Sequence, residues 1–182
     1  MPQLYRPSWN EYFMLLAKLA ASRSTCLSRP TGATIVKDKR VLSTGYNGSM
    51  PGVPHCIDEG QCYRRKINAS DDGKYDFCRS IHAEANAIAQ AAKLGIDING
   101  ATVYVTLMPC YVCTKLMASA GIKKVYYELS YESINSDRDK LWAEAIKDAG
   151  IEFEKLIIPP ETIEIVLPFL SKTTSERRLE SK

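Results

Sequence analysis

The chain predicts a three-layer α/β/α domain built on a five-stranded mixed sheet. Three observations lead there. Its 182 residues suffice for one ordinary domain and not for two. Hydrophobic residues make up 45% and charged residues 25%, so a core can form without disulfide staples, which excludes a disordered chain or a stapled mini-scaffold. Helical and strand periodicities alternate in the order α-β-β-α-β-α-β-α-β.

Taken in order, Trp9 to Ala21 carries apolar residues at helical spacing, with Ser8 placed as its N-cap. Gly32 to Val36 and Val41 to Tyr46 read as two strands joined by a hairpin turn over Asp38-Lys39-Arg40. Between Asn47 and Asp76 no period persists, and Gly48, Pro51, Gly52, Pro54, Gly60 and Gly73 mark a long loop. A loop of that length is functional or pinned by something. An alanine-rich helix follows from Ile81 to Lys93, stopped by Gly95. Thr102 to Thr106 is β-branched and aromatic, and reads as a strand. Pro109 opens a helix that reaches Ala120 before Gly121. Lys124 to Tyr127 is a strand, Asp137 to Ala149 a helix stopped by Gly150, and Ile151 to Ile157 a last strand. The final strand-helix-strand unit has a crossover long enough for parallel pairing. Residues 171–182 are polar and charged, and read as a mobile tail.

The longest apolar run near the start, Tyr12 to Leu16, is cut by Lys18 and falls far short of the roughly 20 residues of a membrane span. Glu11 and the lack of a cationic region with a small-residue cleavage site argue against a signal peptide. Six cysteines in that setting read as thiols or metal ligands in a reducing compartment, so a cytoplasmic protein is expected. The net charge is +3, of which residues 171–182 supply +2. The near-neutral body, with only the short clusters Arg64-Arg65-Lys66 and Lys123-Lys124, argues against a nucleic-acid partner and suits a small anionic ligand.

The chemistry concentrates in His82-Ala83-Glu84 and, 28 residues after the histidine, Cys110-Tyr111-Val112-Cys113. Alone, the Cys-x-x-Cys is a redox pair, half a zinc site or two small buried hydrophobes. Alone, the histidine is an ordinary structural residue. Together they supply the three donors of a catalytic zinc and leave the fourth position to water. Cys110 and Cys113 share a face in a first helical turn. His82 and Glu84 would splay by about 200° in a regular helix. They converge if His82 sits at the non-helical entry and Glu84 inside the first turn. That arrangement turns the unpaired N–H groups of two helix starts toward one point and helps hold thiolates ionised. Glu84 then takes the water's proton and does not ligate.

Three further segments narrow the reading: Val41-x-x-Thr44-Gly45-Tyr46-Asn47-Gly48, His82-Ala83-Glu84-x-Asn86-Ala87-Ile88, and Ala120-Gly121-Ile122-Lys123-Lys124-Val125-Tyr126. With the paired donors, they resemble the deoxycytidylate (dCMP) deaminases of bacterial and phage type, in the cytidine deaminase superfamily. The resemblance runs from residue 9 to 157. It implies a deaminase domain over 1–160 and a mobile C-terminal extension over 161–182. It also implies hydrolytic deamination of dCMP to dUMP and ammonia, feeding thymidylate synthesis. A metal-activated water attacks C4 of cytosine, and Glu84 passes its proton to N3 and then to the leaving amine. By the same resemblance the Ala83 N–H reads the base carbonyl and Asn47 binds the deoxyribose hydroxyl. One or both of Tyr126 and Tyr131 line the base and phosphate pocket, with core packing the alternative for Tyr126. Arg29, just before the first strand, is the candidate phosphate clamp, since a guanidinium matches phosphate bidentately, with a solvated surface charge the alternative.

Cys26, Cys56, Cys62 and Cys78 remain, with His55. Scattered buried thiols are one reading. A second, structural zinc that anchors the long loop is the other, as in some phage dCMP deaminases. The sequence has Asp72 and Ser80 where those carry a histidine and a glutamate, so Cys62 and Cys78 would substitute, with His55 the alternative fourth ligand. The segment Gly45 to Gly52 resembles a family element that binds a nucleotide effector between subunits of a homohexamer, dCTP with Mg2+ activating and dTTP inhibiting. Gly48, Pro51 and Gly52 are its candidate residues; a plain tight turn is the alternative. Two competing functions stay open: a zinc deaminase acting on another nucleobase (tRNA adenosine, single-stranded DNA or a free base), and a zinc-stabilised interaction module whose sites are all structural.

Overall fold

Helix α1 (Trp9–Ala21) starts on a reciprocal cap: the Ser8 Oγ accepts the Glu11 N–H at 3.3 Å, and the Glu11 carboxylate accepts the Ser8 N–H at 2.6 Å. The computed structural model describes residues 6–69, 77–130 and 136–173. Strands β1 (Gly32–Lys37) and β2 (Arg40–Tyr46) form an antiparallel hairpin. Asp38 and Lys39 join them with φ of 50° and 59°, the doubly left-handed turn whose twist matches that of the strands.

Beyond the hairpin, Gly48–Ser49 (β3) pairs antiparallel with Ser80–Ile81 (β4), and Tyr63–Lys66 makes a one-turn helix, α2. None of these three is legible as periodicity, because each is shorter than one repeat of a helical face or a strand alternation. Helix α3 (Ala83–Lys93) is followed by β5 (Thr102–Leu107), α4 (Tyr111–Ser119), β6 (Lys124–Leu129), α5 (Ser136–Asp148) and β7 (Glu152–Lys155). The main sheet has the order β2-β1-β5-β6-β7: β1 pairs antiparallel with β2 and β5, while β5, β6 and β7 run parallel. The five-stranded mixed sheet expected from sequence is the one observed.

Two buried clusters cover its faces. Ala83, Ala87 and Ala91 of α3 and Met117 of α4 pack with Ile35, Val103, Val105 and Val125 on one side. Phe13, Met14 and Ala17 of α1 pack with Val36, Tyr104, Tyr126 and Ile158 on the other. Alternate strand residues therefore serve opposite layers.

One glycine fixes where α3 lies. A Cβ on Gly45 would stand 2.1 Å from the Ala83 carbonyl oxygen and 2.6 Å from the Ala87 nitrogen, so the start of α3 rests directly on β2. Gly45→Ala is expected to push α3 outward, costing about 1–3 kcal/mol of stability and shifting the residues of its first turn. Thermal melts and turnover measured together check this: a variant with unchanged melting and activity would show that α3 has slack.

The C-terminal region departs from the sequence reading of a mobile extension over 161–182. Pro160–Ser171 forms a helix, α6, opened by Pro160 in its first turn. The fully buried Thr162 donates its Oγ1 hydrogen to Glu11 at 2.7 Å, tying α6 to the capping box of α1. The apolar residues Ile163, Ile165, Val166 and Leu167 stand before the charge-rich segment that follows Ser171, and they belong to this helix. Residues 174–182 lie outside the described residues. No helix of the described residues is long and apolar enough to cross a membrane.

Candidate active site

His82 and Cys110 occupy equivalent places, each the N-cap residue of a helix with extended backbone: His82 (φ −70°, ψ 155°) for α3 and Cys110 (φ −73°, ψ 169°) for α4. Neither side chain caps its own helix. Ser, Thr, Asp or Asn would do that job better. Here the two side chains meet across the gap instead, with the first-turn N–H groups of both helices beside them. Cys113, three residues on, shares the Cys110 side of α4.

The His82 Nδ1 lies 3.4 Å from the Cys110 Sγ and 3.4 Å from the Cys113 Sγ, and the three donor atoms are all within 4.8 Å of one another. A tetrahedral zinc with bonds of about 2.3 Å to sulfur and 2.0–2.1 Å to nitrogen sets its N and S ligands about 3.5 Å apart. The donor set fits zinc. Among the described residues this is the group of His, Cys, Asp or Glu donors so clustered, and the Glu84 carboxylate stands outside it. A three-donor set leaves a coordination position open, which a closed structural site does not.

The electrostatics follow from burial and from these contacts. The Cys113 thiol, hydrogen-bonded to Cys110, lowers the Cys110 thiol far below its usual value; Cys113 itself is pushed up by that same interaction and by burial. The hydrogen bond to Cys110 raises His82. Glu84 sits in the first turn of α3 and is only 4% exposed; burial pushes its carboxyl up to about 7. A carboxyl that titrates near neutrality accepts a proton and returns it with little cost either way.

The site opens into a cavity of about 600 Å³. Arg29 and Asn47 are among the residues that line it. The Asn47 side chain is buried and already committed to its own loop. Its Oδ1 accepts from the Ser24 hydroxyl at 2.6 Å and the Thr31 N–H at 2.8 Å, and its Nδ2 donates to the Arg29 carbonyl at 2.8 Å. Asn47 thus holds the segment that carries Arg29, and the second Nδ2 hydrogen is what it has left to give. Ala83, fully buried, is the first residue of α3 beside His82.

Other expectations fall elsewhere. Tyr126 is no pocket residue: its ring stacks on Tyr104 with centroids 5.0 Å apart, inside the α1-side core. The alternation of β6 sends Val125 to the α3 side and Tyr126 away from it. Tyr131 lies outside the described residues. Gly48 sits in β3, while Pro51 and Gly52 (φ 82°) form an exposed turn closed by the Val53 N–H on the Met50 carbonyl at 3.0 Å, outside the cavity.

All six cysteines are free thiols. Cys26 accepts the Ser28 N–H at 3.4 Å, Cys62 accepts from the N–H groups of Arg64 and Arg65, and Cys78 accepts from that of Ser80. Cys26 and Cys62 both lie near enough to Cys78 to help raise its thiol, after burial as the main cause. Cys26, Cys56, Cys62, Cys78 and His55 do not close into a second three-donor group; the His55 Nδ1 pairs with the Thr25 hydroxyl at 3.1 Å.

Arg64 and Arg65 belong to the short basic cluster Arg64-Arg65-Lys66. Both line the cavity, with Ser28 and Asn68 beside them. The one signal available was their place in a loop too long to be idle.

Comparison with known proteins agrees with this geometry. The family model for the cytidine and deoxycytidylate deaminase zinc-binding region matches residues 7–129. The chain is 42% identical to ComE operon protein 2 of Bacillus subtilis over 154 residues, covering 84% of this chain and 76% of that protein. It is 37% identical to the deoxycytidylate deaminase of Schizosaccharomyces pombe over 162 residues, covering 89% of this chain and 48% of the relative, about half its length. Among solved structures, the dCMP deaminase of cyanophage S-TIM5 in complex with dCMP and dUMP superposes with a TM-score of 0.64 at 30% identity, covering 84% of this chain and 99% of that one. The matched span takes in both donor-bearing helix starts and the strands that carry them, and the chain therefore belongs to the cytidine and deoxycytidylate deaminase zinc-binding family.

Proposed function

We propose that this protein is a deoxycytidylate deaminase, converting dCMP and water to dUMP and ammonia. One observation carries the reading: three zinc donors converge beside a buried carboxylate that is not one of them, at the end of a cavity lined by arginines. Zinc held by His82, Cys110 and Cys113 would act as a Lewis acid toward a water molecule. Glu84 takes that water's proton as the C4–O bond forms and hands it to ring N3. It then takes the proton of the new C4 hydroxyl and gives it to the exocyclic amine, so that the C4 carbonyl forms, the C4–N bond breaks and ammonia leaves. The Ala83 N–H meets the base carbonyl in this reading, and the remaining Nδ2 hydrogen of Asn47 the deoxyribose hydroxyl. Arg29 draws in the phosphate.

The experiment is a substrate panel. Ammonia release from dCMP, dCTP, deoxycytidine and a tRNA anticodon stem is measured with the purified zinc-loaded protein. dCMP is expected to be the best substrate. Turnover of the RNA alone would favour the other-nucleobase reading, and inertness toward all four an interaction module.

Four finer points belong to the same proposal. A second, structural zinc on Cys26, Cys56 and Cys78, with Cys62 or His55 as fourth donor, is supported by the backbone N–H groups turned toward the sulfurs of Cys26, Cys62 and Cys78. Metal analysis is expected to give about two zinc ions per chain, and about one for Cys56→Ser; a wild-type value near one removes this site. Regulation by dCTP with Mg2+ and by dTTP at the Gly48–Gly52 turn is supported by pairing. β3 bonds to β4, which runs straight into His82, and the Met50 N–H reaches the Arg79 carbonyl at 3.2 Å. A coupling of about 1–3 kcal/mol would change dCMP affinity roughly 5- to 150-fold. Assembly as a homohexamer and a cytoplasmic location complete the reading, the second because nucleoside monophosphates are made and consumed there.

A further inference from the structure

The one-turn helix α2 is far too short to persist unaided. It is held from several sides. The Arg79 guanidinium lies 3.6 Å from the centroid of the Tyr63 ring and 3.0 Å from the Glu59 carboxylate, which Lys66 also approaches at 3.7 Å. Cys62, its N-cap residue, is buried. Arg79 stands one residue before β4 and three before His82, so α2 is braced against the strand that enters the catalytic helix.

This bracing delivers two guanidinium groups to the cavity. Arg29, Arg64 and Arg65 line it together with Glu84. Arg64 is half-buried, its Nη2 is 3.5 Å from the Ser28 hydroxyl, and its charge is felt at His82, Cys62 and Cys78. A cation lining the same cavity as the metal donors and Glu84 suits a ligand that carries an anionic group as well as its reacting base. We propose that Arg64, seated by Ser28 on the braced helix α2, joins Arg29 on the 5′-phosphate of the substrate and is a specificity-determining residue that selects a nucleoside monophosphate over a nucleoside. Arg65 and Asn68, more exposed on the same wall, form its outer edge. The proposal rests on the deaminase reading above and adds a second residue that reads the phosphate.

The test compares dCMP with deoxycytidine in the zinc-loaded wild type, Arg64→Gln and Arg64→Lys, with metal content measured for each. Hydrogen bonds to a charged group are typically worth a 10- to 150-fold change, so Arg64→Gln is expected to lower kcat/KM for dCMP by about that factor, mostly through KM. Its kcat/KM for deoxycytidine should stay within about twofold, since that substrate has no phosphate to lose. Arg64→Lys should recover part of the dCMP loss, as a point charge without the fork. Where nucleoside turnover is too slow to measure, calorimetric binding of dUMP and deoxyuridine gives the same split. Equal losses for both substrates, an unchanged dCMP rate, or a parallel loss of zinc would each overturn the proposal and assign Arg64 to packing or to the neighbouring thiols. A wild type inert toward dCMP would instead overturn the deaminase reading, and the proposal with it.

Discussion

Glu84→Gln will keep its zinc and its fold and lose turnover of dCMP by about 10²- to 10⁴-fold, the range a positioned acid–base group supplies. The glutamine is isosteric, so it fits the buried first turn of α3 where the glutamate is 4% exposed. Burial is the main reason the Glu84 carboxyl is driven up to about 7, and a neutral amide escapes that penalty. The melting temperature should therefore hold or rise while activity collapses. Zinc content should be unchanged, because the carboxylate stands outside the three-donor group. Metal analysis, thermal melting and ammonia release on one preparation check all three. Zinc lost in step with activity would make Glu84 a fourth ligand, and the centre a closed structural one.

Cys113→Ser is expected to do the opposite, taking metal, activity and stability together. Cys113 is 2% exposed and 3.4 Å from the His82 Nδ1, so its loss leaves two donors and an underfilled space at the start of α4. Changes merely in the surroundings of a zinc ligand cost 10–100-fold in affinity, and losing a thiolate should exceed about 100-fold. Because metal binding is linked to folding, the variant should melt like wild-type protein stripped by a chelator, and added zinc should stabilise only the wild type. A variant that keeps stoichiometric zinc at this site would show that another donor moves in. Glu84, the nearest carboxylate, would be the first to examine by combining the two substitutions.

These two variants probe parts of the site that were legible before the fold was known. His82, Glu84, Cys110 and Cys113 announce themselves because metal chemistry restricts both residue type and local spacing, and each half spans less than one helical turn. The need for His82 to stand outside the helix and Glu84 inside it follows from 3.6 residues per turn, and the backbone angles at His82 meet it. Tyr126 shows where such reasoning ends. Alternation in β6 says that Val125 and Tyr126 face opposite ways, but which face carries α3 depends on how the helices pack. Asn47 is similar: its type suits a sugar hydroxyl, yet two bonds to Oδ1 and one from Nδ2 make it first the lock of the loop bearing Arg29.

The sequence by itself determined the layered α/β class, the order of the five main-sheet strands and of the four long helices among them, and the three donors with their proton carrier. All of these rest on periodicities and spacings read within one element or across a short crossover. The tertiary structure alone decided what the long loop is for. Arg64 stands 18 residues before His82 in the chain, and no local pattern links them. They share a cavity because Arg79, Glu59 and Tyr63 clamp a one-turn helix against the catalytic strand. Likewise α6 depends on Thr162 finding the carboxylate of Glu11 151 positions away. Long-range contacts of this kind gain their free energy only once the sheet and its two cores have closed the intervening loops, so nothing local in the sequence records them.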